Sequence, residues 1–351
     1  MKIGLVGLPG SGKSTLFRAL TGKRENLGHA GDLAAVAVPD PRMDRLIEIY
    51  HPRKISPAEL TVLDLMAVHG GDDRAGESGE LAKLAGDAEA FLLVLQCFGD
   101  LDWEGEPLDP AADLETVLLE MSLADLHVVE TRLKRIESRG SAKEIHEQWE
   151  MELLKRVQAH LSSGGAVRDL ELAADEAKQL RGFSLLTLKP WLVVCNVADD
   201  DLASARAAGA RKVCDERALQ WLALCAPLEE EIAQLPPEER AEFAAEYGLE
   251  EPARDRLIHA AYRLLNVLTF FTCDEKEVHA WTMAAGRTAP EAAGTIHTDL
   301  QQGFIRAEII PYKAVDEWGS EKAAKEKGFQ RIEGRNYVMH DGDLVYIRHS
   351  K

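Results

Sequence analysis

The sequence predicts an α/β fold: a P-loop parallel sheet flanked by helices, with a helical arm inserted into it and a smaller α+β module behind it. Three observations predict this. Residues 7–14 read Gly7-Leu8-Pro9-Gly10-Ser11-Gly12-Lys13-Ser14, a complete G-x-x-x-x-G-K-[ST] loop directly behind the apolar run Ile3-Gly4-Leu5-Val6. The run Leu60-Thr61-Val62-Leu63-Asp64 reads as a buried strand that ends in a carboxylate. From about Leu268 the composition shifts to Thr- and aromatic-containing strand segments. The 351 residues are enough for two or three domains, because single cores stop growing near roughly 250–300 residues.

The loop carries the first chemistry. Gly7, Gly10 and Gly12 let the backbone turn tightly enough to aim consecutive N–H groups of Gly10, Ser11, Gly12, Lys13, Ser14 and Thr15 at phosphate oxygens. Lys13 supplies a point charge for the β- and γ-phosphates, and the Ser14 hydroxyl a ligand for Mg²⁺. Leu16, Phe17 and Leu20 recur at helical spacing behind it, so the strand–loop–helix setting that the motif needs is present. Asp64, at the carboxyl end of its strand, is placed to hold Mg²⁺ through water. The expected ligand is a nucleoside triphosphate with Mg²⁺, and the expected catalytic residues are Lys13 and Asp64.

Further along, Phe91–Cys97 is a third strand. From about Leu114 to Leu161 the period turns helical. Leu114, Leu118, Met121, Leu123, Leu126, Val129 and Leu133 share one face, and Ile145, Trp149, Leu153, Leu154 and Val157 follow the polar stretch Glu137–Lys143. Two amphipathic helices with a polar break predict an antiparallel hairpin. The strand Trp191–Cys195 then delivers Asn196-Val197-Ala198-Asp199, where GTP-binding folds carry Asn-Lys-x-Asp. Helices are predicted over Glu238–Glu246 and Ala253–Leu265, and strands over Thr269–Thr272, Val278–Met283 and Val338–Ile347, the last with a turn at Asp341-Gly342-Asp343. The resulting division is residues 1–113 and 184–267 for the nucleotide-binding domain, 114–183 for the helical arm and 268–351 for the C-terminal module.

A net charge of −19 argues against broad binding to phosphate backbones, and no specific DNA binding is expected. The charge is uneven: residues 268–351 hold 11 Lys and Arg against 13 Asp and Glu, leaving −17 on the rest. A nearly balanced module can meet RNA through a local basic patch, and Lys322, Lys325, Lys327, Arg331 and Arg335 form one. Cys97, Cys195, Cys214, Cys225 and Cys273 include no C-x-x-C pair and read as reduced thiols. With no leader-like start and no apolar run long enough for a bilayer, the expectation is a cytoplasmic protein without a membrane partner.

At this point the residues carry a resemblance. The stretches Gly4–Thr21, Val38–Arg42, Leu123–Leu126, Leu185–Pro190, Asn196-Val197 and Glu277–Thr282 match from end to end. The blocks Ala289-Pro290, Ala292–Asp299, Gly303–Glu308 and Gly342-Asp343 are more specific still. The chain resembles the YchF/Obg-like ATPase family of translation-factor-class P-loop proteins. The resemblance implies a P-loop nucleotide-binding domain, an inserted helical coiled-coil arm and a C-terminal β-grasp (TGS-like) domain associated with ribosome or rRNA contact. It also implies that Asn196, Val197 and Asp199 occupy the base-reading position.

The chain departs from the family pattern at several places. The stretch Gly22–Pro39, corresponding to switch I, contains no Ser or Thr, so a second protein ligand for Mg²⁺ is missing there. The family's Asp-x-x-Gly appears as Asp64-Leu65-Met66-Ala67, and a Cβ at Ala67 opposes the backbone swing that glycine permits. Val68 takes the place of a water-positioning Gln, as is usual for the family. A loop histidine of relatives is absent from Gly99–Pro107, which contains Trp103 instead, and His69 is the nearest substitute. At the base, Asp199 restores the acid of a guanine site but Val197 replaces the lysine, so ATP is favoured with GTP open. Two functions compete: a slow Mg²⁺-dependent ATPase or GTPase associated with ribosomes, and a nucleotide-dependent adaptor that does not hydrolyse. A small-molecule kinase is a third reading, opposed by the C-terminal block. Loss of Lys13 is expected to remove triphosphate affinity and leave the fold intact.

Overall fold

The computed structural model describes residues 1–22, 32–65, 86–138, 145–202, 205–247 and 252–350. The strands are β1 (Lys2–Val6), β2 (Leu33–Ala37), β3 (Lys54–Ser56), β4 (Glu59–Asp64), β5 (Ala90–Cys97), β6 (Trp191–Val197), β7 (Gln220–Leu224), β8 (Val267–Cys273), β9 (Glu277–Ala284), β10 (Phe304–Pro311), β11 (Arg331–Glu333) and β12 (Asp343–His349). The helices are α1 (Lys13–Thr21), α2 (Pro41–Tyr50), α3 (Pro110–Ser138), α4 (Ile145–Ser162), α5 (Ala174–Arg181), α6 (Ala208–Glu216), α7 (Ala226–Gln234), α8 (Pro237–Glu246), α9 (Ala253–Leu264), α10 (Ala289–Ile296), α11 (Thr298–Gln302), α12 (Tyr312–Trp318) and α13 (Glu321–Glu326).

The chain divides into two compact units, Met1–Ala34 with Thr61–Arg254, and Ala35–Leu60 with Asp255–Lys351. In the first, the strands β4-β1-β5-β6-β7 lie in that order, and β1 pairs in parallel with both β4 and β5. The chain therefore leaves β1 where the strand order reverses, the place at which open α/β sheets bind ligands. Every residue of β5 and β6 is buried, as continuous apolar runs covered on both faces require. Val6, Leu93, Leu95, Val193 and Cys195 share a core with Leu114, Val117 and Met121 of α3 and Ala210 and Cys214 of α6.

Helix α3 starts where the sequence supplies both a cap and a proline. Asp109 Oδ1 accepts from the N–H groups of Ala111 and Ala112 at 3.0 and 3.2 Å, and Pro110 occupies a position whose N–H would have no partner. Its outer half packs on α4 through Val129, Leu133, Ile136, Leu153, Leu154, Val157 and Leu161. Leu123, expected on the apolar face, is 48% exposed. Asp125 takes a buried position instead, its carboxylate accepting from Leu186 N–H, Thr187 N–H and the Thr187 hydroxyl, each at 2.7 Å. Two sequence blocks some 60 residues apart, Leu123–Leu126 and Leu185–Pro190, thus meet through one carboxylate.

Asp113, in the first turn of α3, is pushed up to about 6 by burial first and then by the nearby Asp102 and Asp109. The folded value lies above the unfolded 3.8, so the native state holds this proton more tightly. The stability it contributes is full below about pH 4 and is lost as pH rises through about 6. Asp113→Asn is therefore expected to raise the urea midpoint at pH 7 and to leave it unchanged at pH 3.5. An equal change at both pH values would contradict this.

In the second unit the strand order is β11-β10-β12-β8-β9-β3. β10 and β12 run antiparallel over Phe304–Pro311, β12 joins β8 in parallel, and β8 and β9 form an antiparallel pair. The strand expected over Val338–Ile347 begins only at Asp343, because Gly342 is left-handed at φ 85° and the exposed Asp341 carboxylate accepts from Thr269 N–H at 2.9 Å. β10, central to this sheet, was not among the predicted strands.

The division differs from the sequence-derived boundaries: residues 114–183 stay with the first unit, and residues 255–267 join the second. Residues 35–60 cluster with the C-terminal module, held there by polar contacts that no local pattern announces. Arg42 bonds Asp40 at 2.7 Å and Asp341 at 2.6 Å and lies 5.3 Å from the centre of the Phe271 ring. Arg45 pairs with Asp316 at 2.9 Å, the Tyr50 hydroxyl donates to Glu321 at 3.0 Å, and β3 pairs in parallel with β9.

Candidate nucleotide site

The phosphate loop bridges β1 and α1, and its backbone takes the shape that the glycines allow. Gly10 and Gly12 are left-handed, at φ 77° and 84°. A Cβ on Gly12 would stand 2.1 Å from Asn196 Nδ2, and one on Gly7 2.5 Å from the carbonyl oxygen of Val94. Both glycines are therefore required by close approach, and Gly12 by its conformation as well. Ser11 is buried, and its Oγ, without a hydrogen-bond partner, lies only 2.8 Å from where a Gly7 Cβ would be. That hydroxyl is folded beneath the loop, and the Ser11 N–H donates to the Leu8 carbonyl at 3.3 Å.

Lys13 opens α1, and its ammonium donates to Asp64 Oδ1 at 2.8 Å and to the Leu65 carbonyl. The two side chains are 11% and 3% exposed. The structure thus brings together the two residues expected from separate motifs, with Asp64 at the carboxyl end of β4. Ser14 and Thr15 follow, half-buried, in the first turn of α1. The Thr15 hydroxyl accepts from Arg18 at 3.2 Å, and Arg18 in turn pairs with Glu230 of α7 at 2.8 Å.

At the base-reading position the three candidates separate. Asn196 is buried and serves the scaffold: Nδ2 donates to the Ser11 carbonyl at 3.0 Å and Oδ1 accepts from Ala226 N–H at 2.9 Å. It ties the phosphate loop to the start of α7. Val197 closes β6 within the hydrophobic core at 1% exposure, so its side chain does not extend over a purine as a lysine stem would. Asp199 is exposed. Its neighbour Asp201 is used locally, accepting from Ala205 and Arg206 N–H groups at 2.9 and 3.0 Å, bonds that hold its carboxyl below the usual range.

One residue beside the loop was missed. Gln96, buried near the end of β5, donates to the carbonyls of Phe98 and Leu101 at 3.1 and 2.9 Å. It thereby fixes the following loop, which sets Trp103 Cβ 3.3 Å from where a Gly10 Cβ would be. A lone polar residue in the uniformly apolar run Phe91–Cys97 was the available signal for Gln96. Ala67, Val68 and His69, and residues 23–31 of the stretch expected as switch I, lie outside the described residues.

The residues fit a magnesium nucleotide. Ser14 and Asp64 are hard oxygen donors of the kind Mg²⁺ takes, and the glycine conformations form a cradle that a Cβ would fill. Among the described residues no group of three or more His, Cys, Asp or Glu side chains could hold a metal unaided. No described helix is long and apolar enough to cross a membrane. All five cysteines are free thiols.

Comparison with known proteins gives consistent matches. A profile described as a 50S ribosome-binding GTPase matches residues 2–121. The YchF-GTPase C-terminal profile, described only as a protein of unknown function, matches residues 267–350. The "Ribosome-binding ATPase YchF" of Haemophilus ducreyi is 37% identical, over 99% of this chain and 98% of the relative. That of Bacillus subtilis is 35% identical over 98% of each. Among solved structures, the Schizosaccharomyces pombe YchF GTPase superimposes with a TM-score of 0.86 at 28% identity, covering 99% of this chain and 97% of that one.

Proposed function

We propose that this chain, which belongs to the YchF family, is a Mg²⁺-dependent nucleoside triphosphatase of low intrinsic turnover that acts on ribosomes in the cytoplasm. The observation that carries the hydrolase reading is the meeting of Lys13 and Asp64 beside a glycine-shaped phosphate loop. Full-length relatives named as ribosome-binding ATPases support the partner.

Lys13 would exchange Asp64 for the β- and γ-phosphates, and the loop N–H groups would stabilise charge that develops on the transferred phosphoryl group. Mg²⁺, held by Ser14 and by Asp64 through water, would supply neutralising charge on the same oxygens. Nothing in the stretch Gly22–Pro39 adds a hydroxyl, and Ala67 replaces the glycine of Asp-x-x-Gly. Unaided hydrolysis is therefore expected at or below about 10⁻⁴ to 10⁻³ s⁻¹, the scale of an unassisted small GTPase. The same two departures favour the second reading, an adaptor that binds nucleotide without cleaving it. Single-turnover assays with labelled ATP and GTP, with and without ribosomes, separate the two. Turnover that rises with ribosomes supports the first reading, and its absence under both conditions supports the second.

For the base, ATP is expected to bind at least as tightly as GTP, because Val197 is committed to the core and no lysine stem replaces it. A tenfold preference for GTP in fluorescent-analogue titrations, about 1.4 kcal/mol, would show that Asp199 reads guanine.

The ribosome contact proposed is the exposed basic group of the C-terminal module. Lys327 lies 4.6 Å from the Trp318 ring centre and Arg331 5.4 Å from that of Tyr337, while Arg335 donates to the Phe304 carbonyl at 2.9 Å. Lys325 pairs with Glu321, and Lys322 is exposed. Cations held beside aromatic rings suit rRNA, offering charge to phosphates and ring faces to bases. Charge reversal at Lys322, Lys327 and Arg331 is expected to abolish co-sedimentation with ribosomes at low salt in the presence of ATP. Unchanged co-sedimentation would move the contact elsewhere.

A further inference from the structure

Away from the phosphate loop, the first unit contains a cavity of about 340 Å³ at the foot of the helical arm. Ser122 of α3, Arg168 and Asp169 from the single turn Val167–Asp169, Trp191 at the start of β6, and Glu216 and Arg217 at the end of α6 line it. We propose that this cavity binds a small organic anion, whose carboxylate or phosphate group is taken up by Arg168.

Three features lead to this ligand class. Arg168 Nη1 is buried and has no hydrogen-bond partner, whereas buried N–H groups of a cation ordinarily find an acceptor. The guanidinium is also held in place, its Cζ 4.1 Å from the centre of the Trp191 ring, and burial, offset in part by Asp169 and reinforced by Arg217, lowers its proton affinity. An anion entering the cavity would relieve both penalties. The volume lies within the range of about 300–1,000 Å³ typical of small-molecule sites, larger than a bare ion needs.

The remaining charges are largely engaged. Arg217 bonds Glu115 in bidentate fashion, at 3.1 and 2.5 Å. Glu216 pairs with Lys212 at 3.8 Å. Asp169 accepts from Ala166 N–H at 3.3 Å and lies 3.8 Å from Arg168 Nε, on a different nitrogen from the unpartnered one. This near balance favours a ligand of low charge over a polyphosphate. The wall carrying Arg168 is rigid, since Val167 N–H donates to the Thr187 hydroxyl at 3.0 Å and Arg168 N–H to the Thr187 carbonyl at 3.2 Å, and Thr187 is itself fixed by Asp125. Such preorganisation favours binding because little ordering remains to be done.

The test uses the indole N–H signals of the full-length protein in ¹H–¹⁵N spectra, where Trp191→Phe assigns the signal of interest among the six tryptophans. Inorganic phosphate and acetate are titrated separately. The proposal expects the Trp191 signal to shift saturably with at least one probe, phosphate alone indicating a phosphate ester, acetate alone a carboxylic acid, and both a shared oxyanion site. Arg168→Gln should then weaken that binding about tenfold or more, the equivalent of one charge-assisted hydrogen bond. Ser122→Leu, which fills the cavity from α3 and leaves Arg168 in place, should abolish it, and it decides the matter if Arg168→Gln does not fold. The proposal is overturned if neither probe moves Trp191 saturably, as a water satisfying Nη1 would predict. It is also overturned if only Trp103, beside the phosphate loop, responds, or if the Trp191 shift persists undiminished in the folded variants.

Discussion

Lys13→Ala is expected to lower affinity for Mg²⁺-ATP at least about a hundredfold, because a charge-assisted contact to two phosphates has no substitute in the loop. The structure adds a second consequence that the motif alone does not announce. Asp64 is 3% exposed and has Lys13 as its ion-pair partner at 2.8 Å, so the substitution leaves a buried carboxylate without its counter-charge. Breaking such a pair from one side costs about 3 kcal/mol. The expectation of an intact fold is accordingly revised to a fold that persists with reduced stability. Lys13→Ala with Asp64→Asn should regain most of that stability and none of the affinity. Calorimetric titration and urea denaturation on the three proteins check both parts. Equal dissociation constants for wild type and Lys13→Ala would remove the lysine from the site, and equal urea midpoints would show that Asp64 does not depend on it.

Asp125→Ala is expected to be the most damaging single change outside the nucleotide site. The carboxylate is 1% exposed and accepts three hydrogen bonds at 2.7 Å, so truncation strands three buried donors of Leu186 and Thr187. At about 1–3 kcal/mol for each unsatisfied group, less what relaxation or water recovers, the loss should reach about 3–5 kcal/mol in denaturant unfolding. The energy sits in a junction: Asp125 joins the inner part of α3 to the segment leading into β6. A loss below about 1 kcal/mol would mean that the three donors find other acceptors.

The amino-acid sequence by itself determined the phosphate loop, the strands that flank it, the helical pair and the family. These features are local. Eight residues specify the loop because glycine sterics and a single turn of backbone suffice to shape it, and β1, β4, β5 and β6 are legible because strands covered on both faces must be apolar throughout. The pairing of Lys13 with Asp64 was not legible: the motifs assigned the lysine to phosphates and the aspartate to Mg²⁺, and their direct ion pair follows from β1 and β4 lying side by side. Only the tertiary structure decided where individual side chains go. Asn196 and Val197 are adjacent on β6, and their roles diverge because successive strand residues face opposite ways: one reaches the Ser11 carbonyl and the Ala226 N–H, the other enters the core. Ser11 belongs to the motif, yet its hydroxyl lies under Gly7. The assignment of residues 35–60 to the C-terminal unit depends on Arg42 meeting Asp341, a contact across 299 positions of chain. Such long-range polar contacts have no periodicity to reveal them, because their partners are chosen by how the sheets and helices fold back on one another.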